Sequence, residues 1–494
     1  MRGDTQATTI GPLPTHSSAR SRRAAVSTRL VWLLWVASLG VLAAVSAGVA
    51  SVDAFGIRVD GLTAVMWTAV TFFSGIVHSY SRRYMAGDAH VDRFFGLVFG
   101  FTIAVMVLVA ADAFALFVLA WLAMGAAMAG LIGHVDGWPQ AQTAARLAGR
   151  YFFASGVLVA AALTTLWWHT GVTSVSAVPD ELAATTPTVV VAAGALLLLA
   201  AMVQSALIPF HTWLLSSMTA PTPASALMHA GFVNAGGILL VRFAPVVSSD
   251  DGLMLAIVAV GAASAIFGKL LKTVQTDVKR ALGCSTIGQM GFMILQAGLG
   301  FFAAAVAHLV LHGFYKAYQF LSSGDRVEHT SPAADTEQAS TGVLDGAIVT
   351  GTAVAGGVVF AVLTGKGTSV DTGLLLTLLV VVTVLHAARE TIARAALSPR
   401  LRYGAVPLVA IPAIAVYALV YRAFSALLGG LPAVGDPAAL GVGHVAVALA
   451  FLAAYVAIET GVYRRSTRLY VALMNATQPP TNTQLTTTEE YDAS

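Results

Sequence analysis

Charged residues are scarce in this sequence. Asp, Glu, Lys and Arg make up 10% of its 494 residues, while 57% of the residues are hydrophobic. Soluble domains average about 25% charged and 45–50% apolar residues, so this chain cannot cover several soluble cores with a polar surface. Its apolar stretches are long and continuous, which favours membrane-spanning helices over the short alternating strands of a membrane barrel.

Cysteine and cofactor motifs are also nearly missing. The single cysteine, Cys284, excludes a disulfide framework and a cysteine-ligated metal or iron–sulfur cluster. The sequence contains no phosphate-binding loop, dinucleotide fingerprint, HExxH motif or metal-ligand cluster. All loops between the apolar stretches are short. We therefore expect the chain to be no enzyme and to hold no cofactor, so any catalytic domain belongs to a partner chain.

The predicted fold class is all-α, a polytopic transmembrane bundle of about 14 spans, because about 20 apolar residues cross a bilayer as a helix. The spans are predicted at 30–50, 60–80, 94–111, 113–133, 151–168, 188–208, 224–245, 253–272, 282–298, 301–321, 343–364, 372–392, 404–428 and 439–462. Most of the 27 Lys and Arg residues fall on alternate loops. The positive-inside rule then predicts that both termini lie in the cytoplasm. We expect the membrane to be the plasma membrane of a prokaryote.

Four segments are expected along the chain. They are a basic cytoplasmic segment at 1–29, a core at 30–330 with a broken helix near 204–224, C-terminal transmembrane helices at 341–462, and a disordered, Thr-rich cytoplasmic tail at 478–494. No convincing small-residue cleavage site follows the first apolar stretch, so we expect that helix to be retained.

Three ionisable residues lie inside one predicted span. His308, His312 and Lys316 are spaced i, i+4, i+8 and therefore share one helix face over about 12 Å. Ionisable groups in the membrane mark a pathway by default, and imidazole and a desolvated amine can both titrate near neutral pH. This stripe is predicted to carry protons through bound water; the alternative is a structural stripe satisfied by neighbouring helices.

Prolines predict a break in another apolar stretch. Pro209 cannot continue a helix, and Pro221 suits the first turn of a new one. Broken helices at membrane depth often build transport sites. The candidate residues around this break are Gln204, His211, His229 and Asn234. Taken alone, each histidine favours a structural hydrogen-bonding role; the helix break beside them favours the functional interpretation.

A third candidate is Lys269, which lies further into an apolar stretch than the neighbouring cations of the same loop. The other cations of this loop are explained by their effect on membrane orientation. Carboxylates are absent from the middle of the predicted spans. Glu459 lies at a helix end near Arg464, and His386 is isolated in sequence, so we expect a structural role for His386 and no carboxylate proton relay.

Two regions of the sequence resemble a known family. They are SALIPFHTWLLSSMTAPTPASALMHAGFVNAGGILL at 205–240, and DVKRALGCSTIGQMGFMILQAGLG with HLVLHGFYKAYQFLSSG within 277–324. Over about 60–330 the chain resembles the antiporter-like, proton-translocating subunits of respiratory complex I, multisubunit Na⁺/H⁺ antiporters and membrane-bound hydrogenases. The resemblance implies two inverted five-helix repeats, each with a broken helix. It also implies a central proton path through His308, His312 and Lys316, with His211 and His229 flanking a break.

The sequence departs from that family at its charged pair. The family's lysine falls on Gln204, its partner glutamate on Leu122, and a further acidic residue near Ser155 and Gly156. The strings LMHAGFVNAGGILLVRFAP and HGFYKAYQFLSSG are more similar to DabB, the membrane subunit of DAB inorganic-carbon transporters. That resemblance implies a cytoplasmic DabA-like zinc partner related to β-carbonic anhydrases, with zinc in the partner, and a proton or sodium gradient as the energy source.

Three functions are therefore open from the sequence. The first is a proton- or sodium-conducting subunit of an energy-coupled CO2/bicarbonate uptake complex. The second is a pump subunit of complex I, a membrane hydrogenase or a multisubunit antiporter. The third is a non-conducting membrane scaffold for a soluble enzyme, which the missing charged pair would suit.

Overall fold

The computed structural model describes residues 21–49, 51–326, 343–394, 399–434 and 437–478. The predicted N-terminal segment up to residue 20, and the predicted tail beyond residue 478, lie outside the described residues. The first half of the chain contains α1 (Arg22–Ser46), a hairpin of β1 (Val52–Ala54) and β2 (Ile57–Val59), α2 (Gly61–Tyr84), α3 (Val91–Ala110), α4 (Phe114–Ile132), α5 (Pro139–Thr170), α6 (Val178–Glu181) and α7 (Pro187–Gln204).

The second half begins at a break and ends on the surface of the bundle. It contains α8 (Thr212–Ser216), α9 (Thr222–Ala230), α10 (Ala235–Arg242), α11 (Ala244–Val247), α12 (Asp251–Thr273), α13 (Val278–Gly298), α14 (Phe302–Leu321), α15 (Val343–Thr364), α16 (Thr372–Arg394), α17 (Pro399–Leu427), α18 (Val442–Glu459) and α19 (Thr467–Ala476). The all-α class and the broken helix between α7 and α9 are confirmed.

Twelve helices within the described residues are long and apolar enough to cross a membrane. The two remaining predicted spans, 282–298 and 301–321, form as α13 and α14 with 21 and 20 residues. Both carry several polar side chains and are not among the twelve, so the count of 14 stays a prediction. In the apolar part of the span formed by α9 and α10, 94% of the residues are buried, so this span lies at the centre of the bundle. In α18 only 6% of them are buried.

Two helices begin earlier than hydropathy predicts. The first starts at Arg22 because the Ser21 side chain accepts a hydrogen bond from the Ala24 amide and caps its N-terminus. The helix predicted over 151–168 starts at Pro139, a residue suited to the first helical turn. Both extensions contain polar and basic residues. A helix can therefore continue beyond its apolar stretch until a capping residue ends it.

Helices α12 and α13 pack backbone to backbone. A Cβ added at Gly268 would lie 2.2 Å from the Gly288 amide nitrogen, and one at Gly261 would lie 2.4 Å from the Leu295 amide nitrogen. Small residues at such positions let membrane helices pack backbone to backbone. This seam fixes α13 between α12 and α14, because α13 packs against both.

Replacing Gly268 with alanine is expected to destabilise the protein by about 3 kcal/mol, because the new methyl group meets backbone that cannot rotate away. The measurement is the thermal midpoint of the purified chain in detergent. Gly100→Ala is the matched control, since no atom lies within 4 Å of its added Cβ. Equal midpoints for the two variants would contradict the close seam.

Candidate ion pathway

The Lys316 side chain is fully buried in the middle of the bundle. Its Nζ donates a 2.8 Å hydrogen bond to the Leu282 carbonyl on α13. Within the described part of the chain, no carboxylate oxygen lies within 4.0 Å of this nitrogen. A buried ammonium without a counterion is costly and is rarely retained for packing alone.

A polar connection joins Lys316 to the broken helix. The Leu282 carbonyl also accepts a 3.0 Å hydrogen bond from Thr286 Oγ1. Thr286 Oγ1 in turn lies 2.9 Å from His229 Nδ1, and the His229 ring stacks on Phe320 with centroids 4.3 Å apart. The structure thus brings two separate sequence motifs into one network. Thr286 was missed because nothing in its local pattern distinguishes it from a packing residue.

The two histidines of the stripe lie side by side above Lys316. Their ring centroids are 6.0 Å apart. Both ring nitrogens of His312, and Nε2 of His308, are buried without a protein hydrogen-bond partner among the described residues. Buried polar atoms almost always have a partner, and ordered water supplies it where protein does not. Full satisfaction by neighbouring helices, the structural alternative, therefore does not describe His312 among the described residues, and Lys316 Nζ has one such hydrogen bond for its three donors.

The residues at the break divide between two environments. Gln204 and Asn234 are fully buried in the core, and both amide atoms of Gln204 lack a protein partner in the described chain. Asn234 Nδ2 donates to the Ala230 carbonyl at 2.7 Å. The hydrogen bond of His211, however, runs from Nε2 to the Ala476 carbonyl of α19 at 3.0 Å. This contact ties His211 to the C-terminal helix and not to the His229 network.

The positions of the family's missing charges are filled by packing. The Leu122 side chain lies against Gly156, so close that an added Cβ there would be 2.4 Å from Leu122 Cδ2. The Trp121 indole donates to Ser155 Oγ at 3.2 Å, and Ser155 donates to the Ala200 carbonyl, one turn before Gln204. These contacts involve hydroxyl and apolar groups, and the described helices α4 and α7 contain no charged side chain.

Lys269 belongs to a separate ionisable cluster. Its Nζ lies 2.6 Å from His386 Nε2, and His386 Nδ1 lies 2.7 Å from a Glu459 carboxylate oxygen. The expectation that His386 is isolated is wrong, and among the described residues Glu459 pairs with His386 and Arg389. Sequence reasoning missed the cluster because its members come from α12, α16 and α18.

A buried ion pair lies at the end of α2 and α10. Arg242 Nη1 donates to Asp60 at 2.5 Å, and Nη2 donates to Thr63 Oγ1 at 3.1 Å and to the Val109 carbonyl. Burial alone raises the pKa of Asp60, but the charge and hydrogen bonds of Arg242 outweigh it and hold the pKa below its usual 3.8. The pair borders a cavity of about 270 Å³.

The fold and these buried groups define a class, that of multi-pass ion-transport proteins built around a broken helix. The family follows from the sequence match. The chain belongs to the NADH:quinone oxidoreductase/Mrp antiporter transmembrane family, whose model matches residues 111–392. A second model, the N-terminus of complex I chain 5, matches residues 50–95. The chain is therefore an antiporter-like membrane subunit.

Two relatives carry inorganic-carbon names. The chain is 39% identical over 276 residues to the "Probable inorganic carbon transporter subunit DabB1" of Halothiobacillus neapolitanus, covering 54% of this chain and 49% of that protein. It is 37% identical over 274 residues to the "Probable inorganic carbon transporter subunit DabB" of Bacillus subtilis, covering 55% and 54% respectively. The matched region thus spans about half the length of these curated relatives.

A solved structure shares the fold. The Mrp complex of Dietzia sp. DQ12-45-1b contains a chain that aligns with a TM-score of 0.55 and 24% identity, over 92% of this chain and 51% of that chain. At this identity the likeness concerns the fold, and it agrees with the antiporter-like architecture predicted from the sequence.

Proposed function

We propose that this chain is the cation-conducting membrane subunit of an energy-coupled inorganic-carbon uptake complex. Protons or sodium ions flow down their gradient through the stripe of His308, His312 and Lys316. The flow drives a cytoplasmic DabA-like zinc partner, related to carbonic anhydrases, so that CO2 hydration is effectively one-way and bicarbonate accumulates. Zinc and the hydration chemistry belong to the partner.

One observation carries the conduction part of this proposal. Lys316 is fully buried, no carboxylate oxygen of the described chain lies within 4.0 Å of its Nζ, and it is linked through Leu282 and Thr286 to His229. One turn before it on the same helix face lies His312, whose ring nitrogens have no protein hydrogen-bond partner among the described residues. Such groups can bind and release a cation or proton between the two membrane faces. The names of the DabB relatives support the inorganic-carbon part.

Co-expression tests the function as a whole. The chain and a DabA-like partner are expected to restore growth in air to a bacterium that lacks carbonic anhydrase, and Lys316→Ala or His312→Ala is expected to remove the rescue. Addition of an uncoupler is expected to stop carbon accumulation by the wild-type pair. Rescue that survives both the substitutions and the uncoupler would instead support a non-conducting scaffold.

A pump subunit is the second candidate, favoured by the family match to NADH:quinone oxidoreductase and Mrp antiporter subunits. Leu122 and Gln204 argue against a pump, because the described helices α4 and α7 contain no charged side chain at the positions where the resembled family has its glutamate and lysine. Neighbouring genes for quinone-site and iron–sulfur subunits would favour the pump; a gene for a DabA-like protein would favour carbon uptake.

A further inference from the structure

Three side chains from distant helices form one linear chain of contacts at an end of the bundle. Lys269 on α12, His386 on α16 and Glu459 on α18 are joined by separations of 2.6 Å and 2.7 Å at the two imidazole nitrogens. We call these three residues the Lys–His–Glu triad. Nothing in the local sequence around any one member indicates the other two.

The contacts define where the imidazole proton lies. A lysine ammonium has donors only, so His386 Nε2 must accept the hydrogen bond from Lys269. The ring proton is then on Nδ1, which faces the Glu459 carboxylate. A neutral imidazole with an amine at one nitrogen and a carboxylate 2.7 Å from the other can pass a proton from the first side to the second.

The triad lies near helix ends, and all three of its residues are partly exposed. Lys269 lies one turn before the end of α12, whereas Glu459 is the last residue of α18. The side chains of His386 and Glu459 are 30% and 15% exposed. Ionisable neighbours in the described part of the chain include Arg389, 3.6 Å from the second Glu459 oxygen, and Tyr455, whose ring centroid is 6.2 Å from that of His386.

The triad also adjoins the helix that supports the stripe. Gly268, next to Lys269, is the residue at which α12 meets the α13 backbone. The opposite partner of α13 is α14, which carries Lys316. The triad therefore supplies a partly exposed carboxylate beside a core whose own buried lysine has none in the described chain.

We propose that the Lys–His–Glu triad transfers protons between the water at this face, predicted to be cytoplasmic, and the membrane interior. In one transfer, an N–H bond of Lys269 breaks as an Nε2–H bond forms on His386, while the Nδ1–H bond breaks as an O–H bond forms on Glu459. Glu459 then releases the proton to water, Lys269 takes a new one from the interior, and the imidazole turns over to reset. This proposal rests on the proposed conduction of ions.

The test is proton flux into or out of proteoliposomes that contain the full chain with its partner, followed with a trapped pH-sensitive dye under an imposed membrane potential. Glu459→Gln and His386→Ala are each expected to lower the flux at least about tenfold, as expected for loss of a proton-transfer group. Glu459→Asp is expected to retain part of the flux. Arg389→Gln is the control, because it removes a neighbouring charge and leaves the triad intact.

Adding imidazole to the buffer distinguishes a proton-transfer role of His386 from a structural role. Because His386 is partly exposed, free imidazole is expected to restore flux to His386→Ala. If imidazole does not restore flux to His386→Ala, and Arg389→Gln loses as much flux, the triad does not transfer protons and only holds the helices together. Wild-type flux in Glu459→Gln would also overturn proton transfer by the triad, provided that Lys316→Met abolishes flux. A wild-type complex that conducts neither protons nor sodium would overturn the proposed function instead.

Discussion

Lys316→Met is expected to lower proton or sodium flux through the reconstituted complex by about a hundredfold, the usual contribution of a positioned proton-transfer group. Methionine fills a similar volume but has no charge and no proton to exchange. The replacement removes the hydrogen bond to the Leu282 carbonyl and with it the connection to His229. Flux is measured in proteoliposomes under an imposed potential, once without sodium and once without a pH gradient.

Two further variants sharpen this result. Lys316→Arg keeps the positive charge but cannot release its proton at physiological pH, so proton flux is expected to fall as in Lys316→Met. Lys366→Met is the matched control for charge loss, because Lys366 lies over the Phe301 ring, away from the stripe. Normal flux in Lys316→Met would contradict the assigned pathway.

Arg242→Met is expected to destabilise the protein by about 3 kcal/mol, because it leaves the Asp60 carboxylate buried without its partner. The two side chains are only 6% and 9% exposed. The thermal midpoint of the full chain in detergent measures the loss. Arg58→Met is the control, since Arg58 pairs at 3.7 Å with an exposed Asp53, and such surface pairs contribute about 1 kcal/mol or less.

Removing both charges of the Arg242–Asp60 pair provides the complementary test. The double variant Arg242→Met/Asp60→Asn is expected to recover part of the lost stability, because no uncompensated charge remains and asparagine can still cap Thr63. Since the pKa of Asp60 is held below 3.8, the ion pair stabilises the folded state at pH values above that and loses this effect as pH falls through the lower value. In Arg242→Met, burial without the arginine raises the pKa of Asp60, so this carboxyl takes up a proton at a higher pH than in wild type. The difference in stability between wild type and Arg242→Met is therefore expected to begin to narrow in mild acid and to narrow further as pH falls through the lowered wild-type pKa.

The helices and the break follow from local chemistry. Apolar length predicts where a helix crosses the membrane, and Pro209 with Pro221 predicts the interruption between α7 and α9 whatever surrounds it. The shared face of His308, His312 and Lys316 likewise follows from helical spacing alone. Apolar length predicts starts that are too late for the helices that begin at Arg22 and Pro139, because caps and polar turns extend helices beyond their apolar stretches.

The sequence by itself determined the membrane class, the antiporter-like family and the polar face of α14, because each depends on residues close together in the chain. Only the tertiary structure decided which polar groups meet. His229 and Thr286 are 57 residues apart, Lys269 and His386 are 117 apart, and Asp60 and Arg242 are 182 apart. Contacts at such separations depend on how helices pack, as at the glycine seam between α12 and α13, and no local periodicity encodes them.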